Sequence, residues 1–243
     1  MGSLRVLGAF VINMLTMKRK LIISLIVVVS LAVLMLIANV SGILVLYHIK
    51  NNAIAPAFVK GNVTIASKLK KYADNSLICF TLPSPASQNV TYIRRIAGTE
   101  GDTIEINDGY LLRNGFMADN PEKVLFNYYV KREYVHDFKM FKTLRVQPKV
   151  QNDSIFLAVN YSEFNDFSNQ LVLHKINRPK IRKEPGIFGS TNENHWNISN
   201  YGPIVVPKGY CFVLADNRDN YPDSRQWGFI PVKNIRGTVL TRR

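Results

Sequence analysis

Residues 215–231 read ADNRDNYPDSRQWGFIP and place two aspartate–arginine groupings close together in a turn-rich stretch. The first grouping consists of Asp216 and Arg218, and the second consists of Asp223 and Arg225. Carboxylates and guanidinium groups form charge-assisted, often bidentate hydrogen bonds. The two groupings therefore predict a hydrogen-bonded polar scaffold, and an ordinary solvated loop is the alternative.

The segments outside this stretch have the composition of short β-strands. They are rich in β-branched and aromatic residues and are separated by turns: residues 62–66 (NVTIA), 76–82 (SLICFTL), 90–98 (VTYIRRIAG) and 102–106 (DTIEI). The dipeptides at 108–109 (Asp-Gly) and 114–115 (Asn-Gly) predict a hairpin and a second turn after it. Apart from a weak helical period near Glu163–Leu173, no helix is expected in this part. The sequence predicts a mostly antiparallel β domain.

An uncharged apolar run precedes these strands. Residues 21–47 contain no charged side chain, and about 20 apolar residues suffice to cross a membrane. A cleaved signal peptide is the alternative, but its apolar region is only about 7–15 residues long. Residues 18–20 (Lys-Arg-Lys) flank the start of the run more densely than His48 and Lys50 flank its end. The positive-inside rule therefore places the N-terminus in the cytoplasm and the large domain outside it.

The composition restricts the possible partners. The net charge is +14, which favours anionic partners such as nucleic acid or a lipid surface. The apolar run favours lipid, and no nucleic-acid-binding motif accompanies the charge. The four histidines show no metal-ligand spacing with the cysteines, so no metal or cofactor is expected. Cys79 and Cys211 lie in apolar runs and are interpreted as buried free thiols, with a disulfide left open.

Two further segments carry a family resemblance. Residues 92–102 read YIRRIAGTEGD, and residues 53–62 read AIAPAFVKGN. With residues 215–231, they resemble the YIKRVxGxPGD, SMxPTLxxGD and GDNRxxSxDSRxxGxVP boxes of type I signal peptidases, the leader peptidases of the S26 serine peptidase family. The boxes follow the apolar run in the order typical of that family. The resemblance covers about residues 20–110 and 203–240.

The resemblance implies a β-rich fold with a membrane-associating surface and a catalytic serine–lysine dyad. In such a dyad the serine hydroxyl attacks the peptide carbonyl, and a desolvated, neutral lysine accepts its proton. Here Ala53 stands at the serine position and Arg94 at the lysine position. Tyr221 replaces a serine that supports the lysine, and Asn51 stands where a serine often completes the oxyanion hole. A methyl group cannot attack, and a guanidinium stays protonated, so no catalytic residue is expected.

The remaining motif residues are assigned other roles by the same resemblance. The candidate peptide cleft contains Asn51, Ala53, Ile54, Pro56 and Arg94. The structural motif contains Gly101, Asp102, Asp216, Asn217, Arg218, Asp223, Ser224, Arg225 and Gly228. Lys60 or Thr64 as substitute catalytic groups, and an alignment shift to Ser67 and Lys68, are both disfavoured.

The expected organisation has four parts. Residues 1–20 are a cytoplasmic segment, in which residues 1–16 are either an interfacial helix or precede a true start at Met17. Residues 21–47 are a transmembrane helix. Residues 48–116 and 201–243 form the signal-peptidase-like core. Residues 117–200 are an inserted lobe with basic clusters at 131–132 and 178–183.

Three functions are compatible with this interpretation. The first is a non-catalytic accessory subunit in protein export or membrane assembly, which binds a signal peptide or a membrane protein. The second is an active signal peptidase that uses an unrecognised dyad. The third is a purely structural subunit of a membrane complex. The expected location is the bacterial inner membrane, with the large domain in the periplasm.

Overall fold

The computed structural model describes residues 2–84, 87–176 and 184–240. The predicted basic cluster at 178–183 lies outside the described residues. The chain divides into two compact units, Met1–Val45 and Leu46–Arg243. The large predicted domain, including its lobe, is therefore one compact unit.

The first unit consists mainly of helix α1 (Gly2–Val40). Residues 17–37 of α1 are long and apolar enough to cross a membrane. The first sixteen residues, whose role the sequence left open, continue the same helix from Gly2. The helix ends at Val40 and not at Tyr47, where the apolar run ends. Gly42 has a φ of 67°, a left-handed conformation that commonly ends helices, and the apolar residues after it form a strand.

A seven-stranded sheet forms the centre of the second unit. Its strands, in hydrogen-bonding order, are β1 (Leu44–His48), β2 (Val63–Ser67), β15 (Ile235–Val239), β3 (Leu77–Ser84), β4 (Ser87–Thr99), β13 (Tyr210–Leu214) and β14 (Ile230–Pro231). Strand β4 pairs antiparallel with both β3 and β13. The short helix α3 (Ser224–Trp227) lies between β13 and β14 in the chain. The strands predicted at 62–66, 76–82 and 90–98 are confirmed.

A second, four-stranded sheet contains the predicted hairpin. Its order is β12 (Tyr201–Val205), β5 (Thr103–Asn107), β6 (Tyr110–Arg113) and β7 (Phe116–Met117). Asp108 and Gly109 join β5 to β6 with φ values of 50° and 86°. Asn114 and Gly115 join β6 to β7 with φ values of 54° and 82°. Both predicted turns are confirmed. Asn, Asp and Gly suit them because these residues tolerate positive φ.

The third sheet belongs to the inserted lobe. Its order is β11 (His174–Lys175), β8 (Phe126–Lys131), β10 (Ser154–Val159) and β9 (Lys149–Gln151). Helix α2 (Tyr161–Ser168) follows β10 and starts with a capping box between Asn160 and Glu163. It begins two residues before the weak helical period at Glu163–Leu173 and ends five residues earlier.

The largest apolar cluster shows where the lobe ends. It contains Ile104, Tyr201 and Phe212 from the two main sheets, together with Ile187 and Ile198. Residues 184–200, which the sequence assigned to the lobe, thus contribute to the central core. Among the described residues, the last strand of the lobe's sheet ends at Lys175, and Ile187 and Ile198 are buried in the core of the main domain.

The two cysteines lie in this interior. Cys79 on β3 and Cys211 on β13 are both buried and free, so the interpretation as buried thiols is confirmed. Strand β4 separates their strands in the sheet. Burial raises the pKa of each thiol to about 12.

Candidate functional site

A tight loop between β1 and β2 holds Ala53. The Ile49 N–H donates to the Asn62 carbonyl at 2.8 Å, and the Gly61 N–H donates back to the Ile49 carbonyl at 2.9 Å. Inside the loop, the Asn52 Oδ1 accepts the Lys60 N–H at 2.8 Å. Asparagine side chains satisfy backbone groups in such turns without needing a strand partner. Ala53 is consequently fixed in the interior, with 1% of its surface exposed.

The loop is joined to the Asp–Arg stretch by hydrogen bonds around Ala53. The Asn217 N–H donates to the Ala53 carbonyl at 3.1 Å, and the Asn52 N–H donates to the Tyr221 hydroxyl at 3.2 Å. The Ala53 N–H donates to the Asn51 Oδ1 at 3.1 Å. Asn51, Ala53 and Tyr221, which the sequence predicted to share a site, are thus brought together. The Asn51 side chain therefore accepts a hydrogen bond here through its Oδ1.

Arg94 of β4 occupies a buried position near this loop, with 3% of its surface exposed. Its Nε and Nη2 donate to the Pro222 carbonyl at 2.9 and 2.8 Å, and its Nη1 donates to the Ile93 carbonyl at 2.7 Å. The guanidinium carbon lies 5.2 Å from the Trp227 ring centre and 5.7 Å from the Tyr92 ring centre. Burial lowers the pKa of Arg94 to about 10, against the opposing effect of Asp223. The side chain remains a cation at neutral pH.

A groove of about 590 Å³ connects the loop with β4. It is lined by residues 46–51, Ala53, Ile54 and residues 90–94. Four of the five predicted cleft residues therefore share it: Asn51, Ala53, Ile54 and Arg94. Pro56 does not line it and borders a separate cavity of about 920 Å³ with Phe58 and Arg95. Arg94 and Arg95 line different cavities because successive side chains of a strand point to opposite faces.

The second aspartate–arginine grouping is an internal ion pair with no exposed surface. Arg225 Nε donates to Asp223 Oδ1 at 2.9 Å, and its Nη2 donates to Asp223 Oδ2 at 2.7 Å. Arg225 also donates to the carbonyls of Ile198 and Arg218, at 2.5 and 2.6 Å. Asp223 caps α3 and accepts the Ala215 N–H at 3.0 Å. Burial opposes ionisation of Asp223, but Arg225 and the backbone donors hold its pKa below its ordinary value.

The first grouping is not an internal pair. Asp216 accepts two hydrogen bonds from Arg95 of β4, at 2.8 and 2.6 Å. Arg218 instead pairs with Asp119, which lies beyond β7. Neither Arg95 nor Asp119 could be predicted from local spacing. Arg95 lies 121 residues from Asp216 in the chain, and Asp119 lies 99 residues from Arg218. The scaffold therefore ties residues 215–231 to β4 and to the start of the lobe.

The other motif residues lie at turns and at the edges of the scaffold. Asp102, next to Gly101, accepts the Thr99 N–H at 2.8 Å in the turn between β4 and β5. The Ser224 hydroxyl accepts the Val213 N–H at 2.9 Å. Gly228 ends α3 with a φ of 76°, and a Cβ there would lie 2.8 Å from the Phe188 ring.

The substitute catalytic groups that the sequence disfavoured lie elsewhere. Thr64 borders the second cavity, and Lys60 is exposed in the loop. Ser67 is buried in β2, where its hydroxyl accepts the Leu69 N–H at 3.2 Å. None of these residues lines the groove that contains Ala53. The groove instead contains His48, Lys50 and Thr91, which sequence reasoning did not select because no family box includes them.

Comparison with known proteins gives a consistent family. A family model described as "Signal peptidase, peptidase S26" matches residues 21–166 and 168–242. The chain is 28% identical to signal peptidase I of Aquifex aeolicus over 209 residues, which are 80% of this chain and 73% of that protein. It is also 28% identical to signal peptidase I of Buchnera aphidicola subsp. Acyrthosiphon pisum over 167 residues, 64% of this chain and 49% of that protein. A crystal structure of a signal peptidase I from Enterococcus faecalis gives a TM-score of 0.34 at 22% identity, covering 70% of this chain and 98% of that one.

Proposed function

The chain belongs to the signal peptidase family S26, and from this membership we propose that it is a non-catalytic member that binds signal peptides without cutting them. The observation that carries the proposal is the pair of residues that shares the groove. Ala53 and Arg94 stand at the positions that the family resemblance assigns to the nucleophile and the base. Neither an aliphatic methyl group nor a guanidinium can perform those roles.

The surroundings of Ala53 support the same proposal. Peptide hydrolysis by a serine requires donors that stabilise the oxyanion of the tetrahedral intermediate. A backbone N–H at the nucleophile position is a natural donor, but the Ala53 N–H already donates to Asn51 Oδ1 at 3.1 Å. The Ala53 N–H is therefore already engaged by Asn51 Oδ1. A missing nucleophile and a missing base would each prevent the reaction, and the engaged N–H would weaken it by withholding one oxyanion donor.

The groove retains what is needed to bind an extended peptide. The groove has a volume of about 590 Å³, and residues 46–51 and residues 90–94 line it. Buried ion pairs fix the adjacent stretch, so the walls are preformed. Extended peptides bind such grooves through backbone hydrogen bonds and side-chain pockets. The protein would then act as an accessory subunit in protein export or membrane assembly.

The outer face of the first two strands supports a membrane location. Leu46, Val63 and Ile65 point outward from β1 and β2 and are exposed. Together with the apolar helix α1, this surface suits contact with lipid. We place the protein in the bacterial inner membrane, with the second unit on the periplasmic side, as the flanking charges indicate.

An active signal peptidase is the second candidate, and the names of the relatives favour it. Those relatives are called signal peptidase I. Activity in this chain would require a nucleophile and a base other than Ala53 and Arg94. Thr91, His48 and Lys50 are the groups in the groove that would have to supply them.

One assay separates the two candidates. A model preprotein is incubated with the detergent-solubilised full-length protein, with an active signal peptidase as positive control. We expect no cleavage at long times and high protein concentration. Cleavage at the signal junction that is lost in Thr91→Val or Lys50→Met variants would establish the second candidate and refute the first.

A further inference from the structure

The groove beside Ala53 is positively charged. Lys50 and Arg94, which are cations at neutral pH, both line it, and His48 lies beside them. Among the described residues that line the groove, none is an aspartate or glutamate. A ligand that places a negative charge in the groove would therefore be favoured over a neutral one.

Arg94 lacks a carboxylate partner among the described residues. Its three hydrogen bonds go to the neutral carbonyl oxygens of Pro222 and Ile93. The nearby carboxylates are already engaged, since Asp216 pairs with Arg95 and Asp223 pairs with Arg225. A buried cation without a counter-ion is costly, because neutral acceptors and ring faces replace water only in part.

The guanidinium retains capacity for a further ligand. A guanidinium carries five N–H groups, and the three hydrogen bonds of Arg94 leave two of them without a partner in the described part of the chain. These two belong to Nη1 and Nη2, the fork that binds the two oxygens of a carboxylate. Arg94 is only 3% exposed, but it borders the same groove as Ala53.

We propose that the groove recognises the free C-terminal carboxylate of a peptide, so that its ligand is a signal peptide already cut from its preprotein. This inference rests on the proposed function and specifies its ligand. In an active relative, the nucleophile and base positions would flank the peptide bond that is cut. At the same place, a cut signal peptide carries a carboxylate, whereas an uncut preprotein carries a neutral amide carbonyl. The cationic Arg94, which lines the same groove as Ala53, complements the carboxylate and not the amide.

The test compares two peptides that differ only at their C-terminus. A fluorescein-labelled signal peptide ending at the cleavage site is prepared with a free α-carboxylate and with a C-terminal amide. Binding to the detergent-solubilised full-length protein is measured by fluorescence anisotropy. We expect the carboxylate form to bind about ten- to a hundredfold more tightly, as a charge-assisted bidentate contact would give. This comparison needs no variant and so does not depend on the folding of one.

Variants then assign the preference to Arg94. Arg94→Gln should abolish the difference between the two peptides, and Arg94→Lys should retain part of it. Arg236→Gln is the matched control, because Arg236 is exposed on β15 outside the groove and its loss changes the net charge equally. The control should preserve the full difference.

The outcomes distinguish this inference from the proposed function. Equal binding of both peptides would overturn carboxylate recognition and leave signal-peptide binding intact. Absence of binding by either peptide would overturn the proposed function itself. A preference for the carboxylate that survives in Arg94→Gln would show that another cation provides it and would overturn the assignment to Arg94.

Discussion

At the scale of single residues, the buried ion pairs distinguish this chain from a generic β domain. Asp223 and Arg225 are both fully buried and form an ion pair. Asp223 also caps α3, and Arg225 also donates to the carbonyls of Ile198 and Arg218. A buried pair of this kind contributes little net stability compared with apolar residues, but it becomes costly when one member is removed. The pair therefore fixes the conformation of residues 215–231 more than it stabilises the whole domain.

The first prediction concerns this pair. Arg225→Met leaves the Asp223 carboxylate buried without its cation, and breaking a buried pair costs about 3–5 kcal/mol. Denaturant unfolding of the detergent-solubilised protein, followed by tryptophan fluorescence, measures the change in the free energy of unfolding. The matched control is Lys131→Met, which removes the cation from the exposed pair with Asp153 and should change stability little. Equal stability of the two variants would refute the structural role of Arg225.

The sequence identified the important residues but not all their partners. The two Asp-x-Arg groupings predicted a hydrogen-bonded scaffold without assigning partners, and only the second grouping forms a pair within itself. Asp216 and Arg218 turn instead to Arg95 and Asp119. Local spacing cannot reveal such partners, since a strand and a loop far away in the chain supply them. The groove residues His48 and Lys50 were not selected as site residues because they lie outside the family boxes.

At the scale of elements, periodicity predicted the strands well and the end of the helix poorly. Strands β2 to β5 follow apolar and β-branched runs bounded by turn residues, so their positions could be read directly. The run from Leu21 to Tyr47 is uncharged and mostly apolar, and such a composition alone does not separate a helix from a strand. A single glycine, Gly42, marks the change from α1 to β1.

The second prediction concerns the thiols of β3 and β13. The pKa values of Cys79 and Cys211 are about 12 in the folded protein, whereas an unfolded cysteine has a pKa of about 8.5. Above that lower value the unfolded chain releases protons that the folded chain keeps, so stability decreases as the pH rises from about 8.5 towards 12. Each thiol contributes a slope of about 1.4 kcal/mol per pH unit in that range.

Unfolding free energies measured between about pH 7 and pH 10 check this slope. Cys79→Ala and Cys211→Ala should each make the unfolding free energy decrease less steeply with rising pH. Each should also lower stability near neutral pH, because it removes a buried side chain. A thiol reagent should also modify the native protein only as fast as it opens. Rapid modification of both cysteines in the native state would contradict their burial.

At the scale of the whole molecule, the family's β-rich scaffold is present, and the proposed loss of function concerns only a few side chains. Three sheets, the loop around Ala53 and the stretch from 215 to 231 form one compact unit, Leu46–Arg243. The family model spans nearly all of this unit, interrupted only at residue 167. Because fold and site are encoded by different residues, a chain can retain the first and lose the second. This separation makes the site open to reconstruction.

The third prediction is that catalysis returns only when several positions are restored together. Ala53→Ser alone should remain inactive, because Arg94 cannot accept the proton of the new hydroxyl. Arg94→Lys alone lacks a nucleophile. Tyr221→Ser supplies the supporting serine that the family resemblance implies. The triple variant that combines it with Ala53→Ser and Arg94→Lys should measurably cleave a model preprotein. The residues of such a dyad act as a unit, so the effects of the single changes should not add.

The same set of variants tests the proposed reason for inactivity. The lysine that Arg94→Lys introduces must lose its charge to act as a base, and the burial that lowers the pKa of Arg94 to about 10 would lower the pKa of a lysine at this position as well. Cleavage by the triple variant should therefore rise with pH through the pKa of that lysine. If the triple variant folds but remains inactive, the backbone N–H of residue 53, which donates to Asn51 Oδ1, is still unable to stabilise the oxyanion. Asn51→Ser would then free this donor. Activity in Ala53→Ser alone would instead mean that another group of the groove serves as base, and the assignment of Arg94 to the base position would be wrong.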